Sequence, residues 1–324
     1  MPAKRRYKRR GRKKGRPPSG PVSYELDRFT LHDLRSWNKA NKSIAEYHIR
    51  VYYELEAQRQ LNRKQLNAAL RDARLDSFEI DHWVRMVDYK YSLQPLSAAG
   101  SIRSIGGRYN IGSGLNPKLN SFHGLYIAED AETAFREYFG EPRGALGVLD
   151  LALMPKKSFA SVFVSGTLHN VLDVTSAKRL RSFCSAFRHF TINPSYKNLL
   201  AGTNIKPLSI AIDPSILLRT LEAQNWRELG MQLGIPSNSQ VFGRLAFEAG
   251  YDGIVFQSAR NGKRCACVFL ENLTHSETNL SLADPAPSDD TIATLDGTTW
   301  PKLIAPPDQR DRKSRAIKKQ ANLH

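Results

Sequence analysis

The sequence has little cysteine. Three residues (Cys184, Cys265 and Cys267) among 324 are too few for a disulfide framework and fit a reducing compartment. No apolar run approaches the roughly 18 residues that a membrane-spanning helix needs. No apolar stretch follows the basic N-terminus, as a secretory signal would require. The composition therefore predicts a soluble, cytoplasmic protein without a helical membrane span. The chain also lacks a Gly-x-x-x-x-Gly-Lys-Ser/Thr phosphate loop, and its glycines at 106–114 do not follow the dinucleotide fingerprint. There is no His-Glu-x-x-His, and the eight histidines are scattered. Cys265-x-Cys267 places two thiols on one strand face but has no second Cys/His pair for a zinc site of about four ligands. Nothing marks a nucleophile elbow. These absences point to a metal-free site.

Acid is also scarce: 31 Asp and Glu stand against 48 Lys and Arg, a net charge of +17. Ten of those positive charges lie in residues 1–20, which contain no acid, so the body carries only +7. A tail of this kind, closed by Arg16-Pro17-Pro18-Ser19-Gly20-Pro21, buries nothing and is expected to be disordered over 1–22. Such an arm gives nonspecific contact with nucleic-acid phosphates by counterion release, or serves only to keep the chain in solution.

Between 23 and 82 the pattern is helical. Ile44, Tyr47, His48, Val51 and Leu55 recur at spacings of three and four, and Asn62 is placed to cap a second helix through Leu66, Ala69 and Leu70. The stripe Tyr47, Tyr52, Tyr53 reads as core. From 83 the character changes to short apolar alternation over Trp83–Leu93, then a glycine-punctuated loop. A strand at Leu125-Tyr126-Ile127 leads into a helix with Asp130 as its N-cap, Glu132 in its first turn and Gly140 at its end. Strands are expected at Val148–Leu153 and Phe159–Val164, and helices at Ala177–Phe190 and Ser239–Ala249. Gly253–Gln257 and Arg264–Leu270 flank Asn261-Gly262, a strong hairpin signal. From Ala283 the residues Pro, Asp, Ser and Thr dominate, so 281–324 is expected to be a flexible tail. Strands and helices without regular alternation predict an α+β fold with a largely antiparallel core.

Three segments hold candidate chemistry. In Gly106-Gly107-Arg108-Tyr109-Asn110, glycines that let backbone approach closely stand beside a guanidinium whose fixed fork suits a diphosphate. Tyr126 lies on a strand edge and Glu137 on the helix that follows. Ser258 ends the strand before the hairpin turn. Periodicity alone leaves Glu137 at the border of the apolar stripe, as a solvated residue, Arg108 as a loop salt-bridge partner and Ser258 as a strand-end hydroxyl.

The order Gly-Gly-Arg-Tyr-Asn, Leu-Tyr-Ile-Ala-Glu-Asp with a Glu on the next helix, and Gly250-Tyr251-Asp252-Gly253-Ile254 leading to Ser258 resembles the RES domain. That family is named for its Arg, Glu and Ser and includes bacterial toxins paired with Xre-type antitoxins. The resemblance covers roughly 85–275 and is strongest at 104–140 and 238–270, including Gln240. It implies an ADP-ribosyltransferase-like fold over about 83–280, with NAD as substrate and no resident cofactor. It also implies an enzyme that breaks the nicotinamide–ribose bond, as a glycohydrolase or phosphorylase and a growth-arresting toxin. In that resemblance Glu137 stabilises the ribose cation, Arg108 holds the pyrophosphate, Tyr126 packs on nicotinamide or its ribose, and Ser258 hydrogen-bonds near that ribose. The family's further Arg on its opening strand is matched here by Lys90 or, less well placed, Arg85. A lysine keeps the charge but lacks the fork. The stretch at 155–235 is longer than a compact toxin needs. Two other readings stand beside this one: transfer of ADP-ribose to a macromolecule, and a basic nucleic-acid-binding protein without activity.

Overall fold

A computed structural model of the chain describes residues 31–139 and 158–305. The basic tail, the strand expected at Val148–Leu153, the helix-ending Gly140 and the residues from 306 on lie outside the described residues. No helix among the described residues is long and apolar enough to cross a membrane.

The three- and four-residue spacing of the N-terminal segment becomes α1 (Leu31–Leu61). Its apolar stripe, Ile44, Tyr47, Val51 and Leu55, packs against Ile192, Tyr196, Leu199 and Leu200. Tyr47 and Tyr52 are buried as expected, but Tyr53 is 47% exposed, because two adjacent residues on a helix lie about 100° apart and cannot share a face. The second helix, α2 (Arg63–Ala69), follows directly. Asn62 does not cap it: the side-chain amide donates backward to the Gln58 carbonyl at 2.8 Å.

The helical segment ends earlier than the sequence suggests. Strand β1 (Arg74–Asp88) begins eight residues before position 82 and pairs antiparallel with β3 (Phe159–Asp173) from Arg74↔Leu172 to Asp88↔Phe159. A bulge between Ile80 and Trp83 interrupts the ladder. Opposite it, Gly166 has φ +141°, and a Cβ there would stand 2.1 Å from the Asn279 carbonyl oxygen. The remaining strands are β2 (Gly124–Ala128), β4 (Gly253–Gln257), β5 (Arg264–Phe269), β6 (Asn279–Leu282) and β7 (Thr294–Leu295). Their order is β1-β2-β5-β4-β3-β6-β7, and the additional β1–β3 ladder closes the first five into a ring. Every pairing is antiparallel except β3–β4 over Val171–Asp173 and Gly253–Val255. The α+β, largely antiparallel architecture with an N-terminal helix is the one expected.

Period-two alternation sorts β4 and β5 onto two buried faces. Ile254, Phe256, Cys265 and Cys267 join a core with Leu66, Phe183, Leu221 and Phe242, whereas Val255, Ala266 and Val268 join one with Leu125, Leu168, Leu295 and Leu303. Helices α3 (Ala131–Phe139), α4 (Arg181–Ala186), α5 (Pro214–Leu221), α6 (Arg227–Leu233) and α7 (Asn238–Glu248) lie between the strands in sequence. Of these, α5 and α6 fill the long stretch that the sequence left unassigned. The expectation of a flexible tail from 281 does not hold up to residue 305. Helix α8 (Trp300–Leu303) accepts a backbone bond from Ala98 at the Leu303 carbonyl, 2.9 Å, and Leu295 and Leu303 are core residues. Isolated apolar residues in a polar run give no periodic signal, so only the distant partner defines them as core.

Candidate functional site

The loop at 105–110 is shaped before its arginine is placed. Gly106 has φ +90°, and a Cβ on it would meet the Asn110 carbonyl oxygen and Gly112 nitrogen at 2.5 Å. Asn110 is fully buried and satisfied on both sides. Its Oδ1 accepts from the Gly107 amide and the Tyr126 hydroxyl, each at 2.9 Å, and its Nδ2 donates to the Ser101 and Phe122 carbonyls at 3.0 Å. The Tyr126 hydroxyl in turn accepts from the Tyr109 amide at 2.9 Å. Gln240, held by a capping box at the start of α7, donates to the Ile105 and Gly107 carbonyls at 2.8 and 3.1 Å. Helix α7 comes so close that a Cβ on Gly243 would lie 2.0 Å from the Tyr109 carbonyl oxygen. Gly-Gly-Arg-Tyr-Asn, Tyr126 and Gln240 are therefore one hydrogen-bonded unit.

Arg108 leaves this unit buried, with Nη1 donating to the Leu221 and Ala223 carbonyls at 3.1 and 2.9 Å. It is not the loop salt-bridge partner that periodicity suggested. Glu137 is half-buried rather than solvated, because α3 is fixed at both its start and its side. Asp130 caps the helix through the Thr133 amide at 2.8 Å. The β4–β5 connection is tied to the same turn, Asn261 donating to Thr133 at 2.8 Å and Lys263 reaching Asp130. That connection turns through Gly262 at φ +78°, as the Asn-Gly pair foretold. It carries Ser258, only 3% exposed, whose hydroxyl donates to Glu137 Oε1 at 2.6 Å and accepts from the Arg260 amide at 3.1 Å.

Arg108, Tyr126 and Glu137 all face one cavity of about 380 Å³. Ser258 stands behind Glu137 instead of in the wall. Lys90 is also outside the wall: its ammonium pairs with Asp88 at 2.8 Å. Arg85 is in the wall, but it donates to the carbonyls of Pro95, Tyr126 and Ser97 at 2.7, 3.0 and 2.7 Å. Burial pulls its pKa down to about 10. This arginine fastens three strands and loops together with a buried charge that only dipoles compensate. Burial likewise pushes the Tyr126 hydroxyl well above its ordinary value and the neighbouring Cys267 thiol up to about 12, so both stay protonated at neutral pH. The Cys265 and Cys267 thiols lie in one core cluster.

Among the wall residues that sequence reasoning missed are Arg103, Trp226, Arg227 and Arg260. Arg260 lies two residues from Ser258 and was within reach of the same motif. Trp226 and Arg227 belong to the unassigned stretch and carry no motif. The wall thus holds five arginines against two carboxylates, Asp88 and Glu137. Such a cleft suits a phosphate-bearing ligand, and its half-buried carboxylate suits a reacting centre that becomes cationic.

The family model for the RES domain matches residues 82–290. No curated protein matches the chain. Among solved structures, a chain of the M. tuberculosis MbcT–MbcA toxin–antitoxin complex is similar at 14% identity. The match covers 75% of this chain and 98% of that one, with a TM-score of 0.40.

Proposed function

The chain belongs to the RES domain family, and on that premise we propose that it consumes NAD by breaking the nicotinamide–ribose bond, as a glycohydrolase or phosphorylase. The observation that carries this reading is the pairing of Ser258 with Glu137 at 2.6 Å in an otherwise arginine-rich cavity wall. Nicotinamide leaves NAD as a neutral molecule, its ring nitrogen taking the electron pair of the broken bond, so the reaction needs no strong general acid. The ribose carbon left behind has oxocarbenium character. Glu137 stabilises it by charge and holds a ribose hydroxyl, as carboxylates do at glycosidic centres. Ser258 fixes Oε1, and Oε2 makes no hydrogen bond with a described residue, which leaves it for the substrate. Tyr126 locks the loop through its hydroxyl and offers its ring to the nicotinamide end. Water or inorganic phosphate then adds to the ribose carbon, water losing a proton as the new bond forms.

The cellular role that fits is a growth-arresting toxin held in check by an antitoxin of the Xre type. Incubating the full chain with NAD, with and without phosphate, is the test. Nicotinamide is released in both cases if water is the acceptor, and only with phosphate if the enzyme is a phosphorylase. Glu137→Ala abolishes release and, on expression, growth arrest, with its circular dichroism unchanged. Wild-type turnover in that variant rejects the reading.

A further inference from the structure

The two arginines that the sequence places at the site are engaged elsewhere. Arg85 donates to three backbone carbonyls and Arg108 gives Nη1 to two. Arg227 differs: it makes no hydrogen bond or ion pair with any described residue, and its guanidinium lies 4.3 Å from the centre of the Trp226 ring. Trp226 is 6% exposed, so the indole is a fixed platform under a cation, a geometry that orients guanidinium while leaving its donors free. Arg108 stands over the same ring at 6.0 Å, and its two carbonyl partners come from the turn that leads into Trp226. Arg260, also in the cavity wall, reaches Gln224 at 3.3 Å, but its Nε is buried without a partner.

Burial, and after it the charge of Arg108, lowers the Arg227 pKa; Glu137 opposes the shift and Arg260 adds to it. Three guanidiniums are thus held near one another, at an energetic cost that Glu137 offsets only in part, since the Arg227 pKa stays lowered. A doubly charged anion between them reverses that cost, and two free guanidinium edges match the oxygens of a diphosphate.

We infer that Trp226, Arg227 and Arg260 form the subsite for the diphosphate of the substrate, so that the α5–α6 connection sets preference for a dinucleotide over a nucleoside. The inference rests on the NAD reading for the substrate's identity, but not for the diphosphate chemistry. Arg108 then acts as a positioning residue that holds the turn bearing Trp226.

The test uses ADP as probe on the full chain, read by titration calorimetry, and NAD and nicotinamide riboside as competing substrates. Arg227 bonds to nothing described, so Arg227→Gln is expected to fold as the wild type. It weakens ADP binding about tenfold or more, the effect of losing a charge-assisted contact. It lowers the kcat/KM ratio of NAD to nicotinamide riboside by a similar factor, while kcat on NAD stays within about threefold, the signature of lost uniform binding. Trp226→Leu behaves alike, and Trp226→Phe, which keeps an aromatic face, restores most of the affinity. Wild-type chain that fails to bind ADP, or Arg227→Gln that binds it as tightly, overturns the inference. Arg227-dependent ADP binding in a chain that leaves NAD intact overturns the NAD reading alone.

Discussion

Gln240→Leu tests whether the site's loop is built by the helix beneath it. In the wild type the Gln240 amide donates to the carbonyls of Ile105 and Gly107 at 2.8 and 3.1 Å, and its Oε1 accepts from the Ser237 amide at 3.1 Å. Leucine fills much of the same volume and makes none of these bonds. The Ile105 carbonyl still accepts from the Gly112 amide at 3.1 Å, so the part-buried Gly107 carbonyl and the buried Ser237 amide lose their partner, and the Asn110 carbonyl loses a longer contact at 3.4 Å. Each such orphan costs about 1–3 kcal/mol, so the two lost partners should cost about 2–6 kcal/mol of unfolding free energy. Urea unfolding followed by tryptophan fluorescence reads this as a lower midpoint at unchanged slope. Because Gly107 precedes Arg108, nicotinamide release should fall as well, even at temperatures where the variant is fully folded. A loss below about 0.5 kcal/mol, the size of an ordinary surface substitution, would refute the reasoning and show that the loop holds its shape through Asn110 and Tyr126 alone.

Three further outcomes follow. Ser258→Ala should lower kcat for nicotinamide release about ten- to hundredfold, the kinetic equivalent of a bond to a charged group at 1.36 kcal/mol per decade, with KM little changed because Ser258 stands behind the wall; a rise in KM alone would place it on the substrate. Gly243→Ala puts a methyl 2.0 Å from the Tyr109 carbonyl oxygen, and backbone cannot yield as a side chain does, so thermal melting should show a loss of about 1–3 kcal/mol or more. Glu56 is pushed up by burial but held below its ordinary 4.5 by the Arg244 hydrogen bonds and the Arg59 charge. A depressed carboxylate contributes stability above its unfolded pKa and loses it as pH falls through the folded one. Melting temperature against pH should therefore drop below about pH 4.5 in the wild type. In Glu56→Gln that part of the drop should be missing from a curve already lowered at neutral pH; an unchanged acid limb would assign the drop to other carboxylates.

Local chemistry was the legible part of this chain. Asp130 as a cap, Asn261-Gly262 as a turn, and Gly106 beside Gly107 as a loop of close approach each follow from short-range sterics or hydrogen bonding. All three hold up in the fold. Glu137 could not be placed by periodicity, because its burial depends on a turn more than a hundred residues away that delivers Ser258. The motif order found what the helical pattern could not. The early start of β1 was hidden by Asp76, Glu79 and Asp81, whose exposed positions on a bulged strand resemble the polar face of a helix. Trp226 and Arg227 gave no signal at all: a tryptophan and an arginine in a row are ordinary surface residues until Arg108 anchors the turn before them.

The strand ring has one more consequence. Each of β1, β2, β5, β4 and β3 is flanked on both sides, although β1 meets β2 only at Val84↔Ala128, so the wall they supply behaves as a hoop with one short joint. Any adjustment to guests of different length falls to the helical side, where a short connection can shift without breaking a ladder. The fold thus separates a stiff reacting end from a tunable recognition end, and variation in the latter can change which molecule enters while the bond-breaking geometry stays as it is.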